Sequence, residues 1–321
     1  MRESGPVYSP KRDFAVIEKL SAHPHTHLRR RSAAICSQEL TLEPVPSNIV
    51  KEASMSKSIF LFNLLICCFI SGVTSASEPS GDDRPVALIT GSSYGLGAEL
   101  TQLAVARGWR VALVDVRPAP SILKVEEIRA SGGIATFYEV DLAVPAKRAG
   151  LVRQVVDEFG RIDYLFNNAG YAYLATLEEM DMAAAHHLFE VNYWAYADLA
   201  QQALPLMRAQ GRGTVVNVSS ILGMRGGSMG YGHYAATKHA LHGLFQSTMK
   251  EVADAGIHII VAAPGGMRTQ VGKHSVGPMA DPTNDRAAQW EDPAIAAQDI
   301  FDQLEKGSAI INPGYVGRLQ D

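Results

Sequence analysis

Between Pro85 and Trp109 the chain reads PVALIT, then GSSYGLG, then AELTQLAVARGW. A short apolar run, Val86 to Ile89, enters a turn with Gly91, Gly95 and Gly97, and a helical pattern follows. A buried strand that feeds a glycine turn opening a helix is a geometry for holding a phosphate. Glycine lets backbone approach the anion, and the first helical N–H groups point at it. In a chain with 28 glycines in 321 residues, three at this spacing arise by chance about 0.2 times. Gly226, Gly230 and Gly232 repeat the spacing, but no apolar strand leads into them and they read as a loop. The first copy has its context. A second strand pattern, Arg110 to Val114, ends in Asp115, whose carboxylate can accept both hydroxyls of an adenosine ribose. The plainer reading of Asp115 is a turn residue at a strand end.

From Pro85 onward strand and helix patterns alternate. Apolar strand runs are expected near 86–90, 110–114, 134–139, 162–166, 214–219, 257–263 and 308–312. Helical spacing is expected over 95–107, 120–131, 145–159, 178–209, 233–254 and 294–305. Apolar, β-branched runs of this kind belong to a parallel sheet covered on both faces. The pattern predicts an α/β domain, a doubly wound parallel sheet of seven strands, with ligands at the carboxyl ends of the strands. No internal repeat or linker divides residues 84–321, so they are expected to form one domain.

Residues 1–83 are expected to be an N-terminal extension. Through residue 54 no hydrophobic period is sustained, and His23, His25 and His27 have no acidic or thiol neighbours to complete a metal site. From Met55 the text changes: Lys57 precedes an apolar run from Ile59 to Val73, followed by Thr74-Ser75-Ala76. This is the layout of a signal peptide and short for a membrane span. A retained anchor, or a start assigned too far upstream of Met55, are the other readings. The cysteines are Cys36, Cys67 and Cys68, so residues 84–321 are expected to hold neither a disulfide nor a thiolate site. A net charge of −4 supplies no basic surface, so no nucleic-acid partner is expected.

The residues able to do chemistry fall just after strands: Asp141 after the third, Asn167-Asn168-Ala169-Gly170 after the fourth, Ser219-Ser220 after the fifth, and Pro264-Gly265 with Thr269 after the sixth. Tyr234-Ala235-Ala236-Thr237-Lys238 comes next. On a helix the phenol and the ammonium share a face. A tyrosine of pKa about 10 is a poor base at neutral pH, and an adjacent cation favours its phenolate. The plainer alternative is a half-buried tyrosine beside a solvated lysine.

Taken together, TGSSYGLG, Asp141-Leu142, NNAG, Asn192 in FEVNYWA, VNVSS, YAATK and PGGMRT resemble the short-chain dehydrogenase/reductase family over about residues 84–321. The resemblance implies a Rossmann-like sheet and an oxidoreductase moving a hydride between nicotinamide and a small secondary alcohol or ketone. Tyr234 would be the acid/base, and Lys238 would lower its pKa and hold the nicotinamide ribose. Ser220 would bind the substrate oxygen, and Asn192 would support a water relay to Lys238. Gly91, Ser93, Tyr94, Gly95, Leu96 and Gly97 would hold the pyrophosphate. Asp141 and Leu142 would meet the adenine. Asn168, Ala169 and Gly170 would lie along the cofactor with Pro264 and Gly265, and Thr269 would reach the carboxamide. Ser220 and Tyr234 stand one residue farther apart than the family pattern, which leaves Ser219 as a rival.

Asp115 favours NAD over NADP, because a 2′-phosphate would face the carboxylate; Arg117 is the nearby cation that could oppose this. Met224, His233, Met267 and Trp290 are expected in the substrate pocket, under a lid from Gly266 to Pro293. The apolar faces of the two long helices, with Leu188, Phe189, Tyr193, Trp194, Leu241, Leu244 and Phe245, imply by resemblance a homodimer or homotetramer. A cytoplasmic catalytic domain is expected from the cofactor, and a membrane contact only if 59–73 is a retained anchor. A non-catalytic dinucleotide sensor or a methyltransferase on a similar sheet would need no Tyr-x-x-x-Lys.

Overall fold

The computed structural model describes residues 82–269, 275–281, 283, 290–306 and 310–311. The histidine cluster, the three cysteines and the apolar run 59–73 lie outside the described residues, as does much of the expected lid.

Seven parallel strands form one sheet: β1 Val86–Thr90, β2 Arg110–Asp115, β3 Ala135–Glu139, β4 Tyr164–Asn167, β5 Gly213–Val218, β6 Ile257–Ala262 and β7 Ile310–Ile311. Their order is β3-β2-β1-β4-β5-β6-β7. The chain steps outward from β1 to β3 and then returns to the other side of β1 at β4, so connections diverge above that junction. Leu88 is level with Ala112 of β2 and Leu165 of β4.

The strands are continuously apolar because both faces are covered. Val86, Leu88, Val114, Leu165, Val215 and Val261 face one core. Their alternates Ala87, Ile89, Leu113, Phe166, Val216 and Ile260 face the other. Against the first core pack α4 (Leu151–Phe159), α6 (Ala195–Gln210) and α7 (Gly232–Glu251). Against the second pack α1 (Gly95–Ala106), α2 (Pro118–Ala130) and α8 (Pro293–Lys306).

Two expected helices are interrupted. The pattern 145–159 divides into a single turn, α3 (Pro145–Arg148), and α4, because Ala149 is extended and Gly150 takes φ +74°. The pattern 178–209 starts later, at α5 (Met182–Phe189), where the Asp181 carboxylate caps the helix by accepting from Ala183 N and Ala184 N. It then passes through a π-helical turn, Glu190–Trp194, before α6. A π turn adds one residue without stopping the helix, so hydrophobic spacing alone does not reveal it. Asn192 lies within this turn.

Candidate active site

A cavity of about 570 Å³ opens at the carboxyl ends of the strands, within the range of roughly 300–1,000 Å³ typical of cofactor sites. At one end lies the glycine turn. Gly91 has φ +64° and Gly95 φ +55°, backbone that side chains with a Cβ seldom adopt. A Cβ on Gly97 would fall 2.1 Å from the Gly91 carbonyl oxygen, so this turn closes only without one. No side chain caps α1 at Tyr94, and no acidic residue occupies its first turn. The first N–H groups of α1 therefore have no anionic partner within the helix, as a phosphate site requires. Gly91, Tyr94, Gly95 and Leu96 line the cavity; Ser93 and Gly97 do not, and shape the turn from behind it.

Next to the turn, the buried Asp115 carboxylate accepts from Ser93 N at 3.2 Å through Oδ2. Its Oδ1 accepts from Arg117 N at 3.1 Å and from Arg117 Nε at 3.0 Å. The Arg117 guanidinium also lies 4.9 Å over the Tyr94 ring. Both Asp115 and Arg117 line the cavity, with Asp141 and Leu142 beyond them. These donors and acceptors fit a dinucleotide: open helix N–H groups for a pyrophosphate, then a carboxylate for a ribose.

The middle of the cavity is lined by Asn168, Ala169 and Gly170 after β4. Asn168 Nδ2 donates to the carbonyls of Thr90 at 2.8 Å and Gly91 at 3.3 Å, tying this segment to the glycine turn. Thr90 Oγ1 completes the tie by accepting from the N–H groups of Asn168 and Ala169. Pro264, Gly265 and Thr269 form the opposite wall. The Thr269 side chain lies where a Cβ on Gly95 would come within about 3 Å of it.

At the far end Ser220 and Tyr234 both line the cavity, with the Ser220 hydroxyl near enough to the Tyr234 phenol to favour its ionised form. Ser220 Oγ also accepts from Leu222 N, which starts a 3₁₀ turn, Ile221–Gly223. Ser219 also lines the cavity, but its hydroxyl donates to the Lys238 carbonyl at 3.1 Å, whereas the Ser220 hydroxyl is the one that acts on the Tyr234 phenol. In the loop between Ser220 and α7, Gly230 adopts φ +84° and its carbonyl accepts from Ala175 N.

Lys238 is buried. Its Nζ donates to the Val218 carbonyl at 2.9 Å and lies 5.2 Å from the Tyr196 ring centre and 5.8 Å from that of Tyr234. Asn192 Oδ1 accepts from Tyr171 N at 3.1 Å, and its Nδ2 donates to Tyr171 O at 2.9 Å. A Cβ on Gly170 would sit 3.1 Å from Asn192 Oδ1 and 3.6 Å from Lys238 Nζ, so both groups converge on that glycine.

One electrostatic expectation is corrected. Burial pushes the Tyr234 phenol up to about 12, against the opposing hydrogen bond from Ser220. Burial also pulls Lys238 from its usual 10.5 down to about 7. Desolvation penalises both charged forms and moves the two values apart.

Several lining residues escaped the sequence. Tyr171 hydrogen-bonds His187 Nδ1 at 2.7 Å, and both face the cavity with Val191. Buried Tyr196, four positions after Asn192, lies beneath Lys238 and donates to Val218 O. Of the four expected pocket residues, only Met267 lines the cavity. Trp290 instead packs over Gly266, and Met224 is 45% exposed. Loop trajectories decide such walls, and sequence spacing does not encode them. Among the described residues, no helix is long and apolar enough to cross a membrane.

Residues 85–278 match the family described as short chain dehydrogenase. A 2,5-dichloro-2,5-cyclohexadiene-1,4-diol dehydrogenase LinX of Sphingobium indicum is 32% identical over 186 residues, 58% of this chain and 74% of that one. Dehydrogenase/reductase SDR family member 7B of Bos taurus is 32% identical over 232 residues, 69% of this chain and 70% of that one. Among solved structures, a short-chain dehydrogenase from Sphingobium yanoikuyae in complex with NADPH aligns with a TM-score of 0.66 and 25% identity, over 72% of this chain and 89% of that one.

Proposed function

The chain belongs to the short-chain dehydrogenase family of NAD(P)-dependent oxidoreductases, and we propose that it interconverts a small secondary alcohol and its ketone with NAD as the preferred cofactor. The observation that carries this reading is that Ser220, Tyr234 and Lys238 line one end of a cavity whose other end is the glycine turn and Asp115. A relative named as a cyclohexadienediol dehydrogenase supports a carbinol substrate.

A bound nicotinamide supplies the hydride acceptor or donor. Every other part is the chain's own. The Tyr234 hydroxyl gives a proton to the substrate oxygen in reduction and takes it in oxidation. Ser220 holds that oxygen with a second hydrogen bond, aimed where charge develops. With its phenol held protonated up to about pH 12, Tyr234 is poised as an acid; as a base it depends on losing that proton, so oxidation is favoured as the pH rises. Asn192 and Lys238, converging on Gly170, are the two ends of a proton path through solvent. Gly91, Tyr94, Gly95 and Leu96 would hold the pyrophosphate, Asp115 the adenosine ribose, Asp141 and Leu142 the adenine, and Asn168 to Gly170 with Pro264, Gly265 and Thr269 the nicotinamide half.

The NAD preference rests on Asp115, buried and held by Ser93 N so that its carboxylate stays at the ribose end. Arg117 spends its charge on that same carboxylate. We also read residues 84–321 as one catalytic domain behind an N-terminal extension, cytoplasmic and assembling as a homodimer or homotetramer. Partial exposure of Trp194 supports the assembly, whereas Leu188, Leu241 and Phe245 belong to the core. The test is a panel of secondary alcohols and ketones with both cofactors, followed at the nicotinamide absorbance. Turnover is expected with at least a tenfold advantage for NAD in kcat/KM, about 1.4 kcal/mol. Equal efficiency with NADP would refute the preference, and no turnover across the panel would refute the reaction.

A further inference from the structure

The side chain of Arg148 is 6% exposed, yet it takes no part in the proton chemistry. Its Nη1 donates to the Leu142 carbonyl at 2.7 Å and to Glu190 Oε2 at 3.0 Å. Its Nε donates to Asp198 Oδ2 at 2.7 Å. Three separate pieces of chain meet on one guanidinium. Leu142 is part of the cavity wall after β3. Glu190 opens the π-helical turn and stands two residues before Asn192. Asp198 lies in the first turn of α6, where the regular helix resumes. Gln202 braces the same junction: its Nε2 donates to Asp198 Oδ1 at 2.9 Å and to Arg148 O at 3.1 Å.

Burying an arginine against two part-exposed carboxylates is a poor way to gain stability, since desolvating the guanidinium offsets much of the attraction. What it supplies is geometry. The planar fork of arginine fixes several acceptors at set angles, which the point charge of lysine does not. The groups fixed here are the wall after β3 and the turn that presents Asn192 toward Gly170 and Lys238. We propose that Arg148 is a positioning residue that holds the Asp141–Leu142 wall in register with the Asn192 turn, coupling dinucleotide affinity to turnover. The inference rests on reading this cavity as the dinucleotide site.

The test uses the full chain with Arg148→Met, which keeps length and packing, and Arg148→Lys, which keeps charge without the fork. NADH affinity is measured by fluorescence titration, kcat and alcohol KM by steady-state kinetics, and folding by thermal unfolding. In both variants the NADH Kd is expected to rise about tenfold, and kcat to fall by ~10-fold or more from misplacement of the turn. Alcohol KM should stay within about twofold, because Ser220 and Tyr234 are not touched. If Arg148→Met does not fold, Glu190→Gln keeps the shape, removes one charge from a half-exposed site, and is expected to lower kcat more than NADH affinity. Wild-type NADH affinity and kcat in the arginine variants, or in Glu190→Gln an unchanged kcat, overturn the proposal even if the unfolding temperature drops. A wild-type chain that binds neither NADH nor NADPH overturns the dinucleotide reading, and this inference with it.

Discussion

Replacing Lys238 with methionine should stabilise the protein measured without added dinucleotide while it abolishes turnover. Burial pulls the lysine from 10.5 to about 7, a displacement of about 3.5 pH units, worth about 5 kcal/mol at 1.36 kcal/mol per unit. The sign follows from proton counting. Between pH 7 and 10.5 the unfolded chain holds this proton and the folded chain does not, so wild-type stability rises with pH across that window. Below pH 7 both states are protonated and the folded state carries the full penalty. Methionine has about the same length and no charge to desolvate. It forfeits the hydrogen bond to Val218 O, about 1 kcal/mol, and the contact over the Tyr196 ring, about 1 kcal/mol. The Val218 carbonyl keeps a partner, since the Tyr196 hydroxyl also donates to it at 3.3 Å. The balance is a gain of about 3 kcal/mol at pH 7, shrinking as the pH rises toward 10. Urea unfolding of both proteins at pH 7, 8.5 and 10 measures it. A variant less stable than wild type at pH 7, or stability curves that run parallel in pH, would refute the reasoning.

Other outcomes follow from the same geometry. Gly97→Ala places a Cβ 2.1 Å from Gly91 O, which forces the turn open; NADH binding by titration should be lost, with at least about 2 kcal/mol of stability. Asp115→Ala removes the carboxylate that Arg117 now pairs with, so the NAD:NADP ratio of kcat/KM should shift at least tenfold toward NADP. Ser220→Ala removes the hydrogen bond that lowers the Tyr234 phenol, so the rise of alcohol oxidation with pH should move to higher pH, and an unmoved or acid-shifted profile would contradict the pairing.

Much of this arrangement was legible from residues alone. The β1 run Val86 to Ile89 had no polar alternate, which only a doubly covered strand tolerates, and Gly91 and Asp115 fell where the sheet places its carboxyl edge. The π-helical turn was not legible, because inserting one residue leaves the apolar face of 178–209 intact. The choice between Ser219 and Ser220 needed coordinates, since both line the cavity and only the Lys238 carbonyl that engages the Ser219 hydroxyl tells them apart. The balance of burial against charge at Tyr234 and Lys238 was also hidden: sequence gives the neighbour but not the depth. Arg148 gave no signal at all, being one basic residue on a helical turn whose partners stand 42 and 50 positions away.

The most direct test is Tyr234→Phe, which removes one oxygen and leaves the ring in place. The account predicts NADH binding within about twofold of wild type and a fall in kcat of at least ~10²-fold. Turnover near the wild-type rate, with binding intact, would show that the proton moves through some other group.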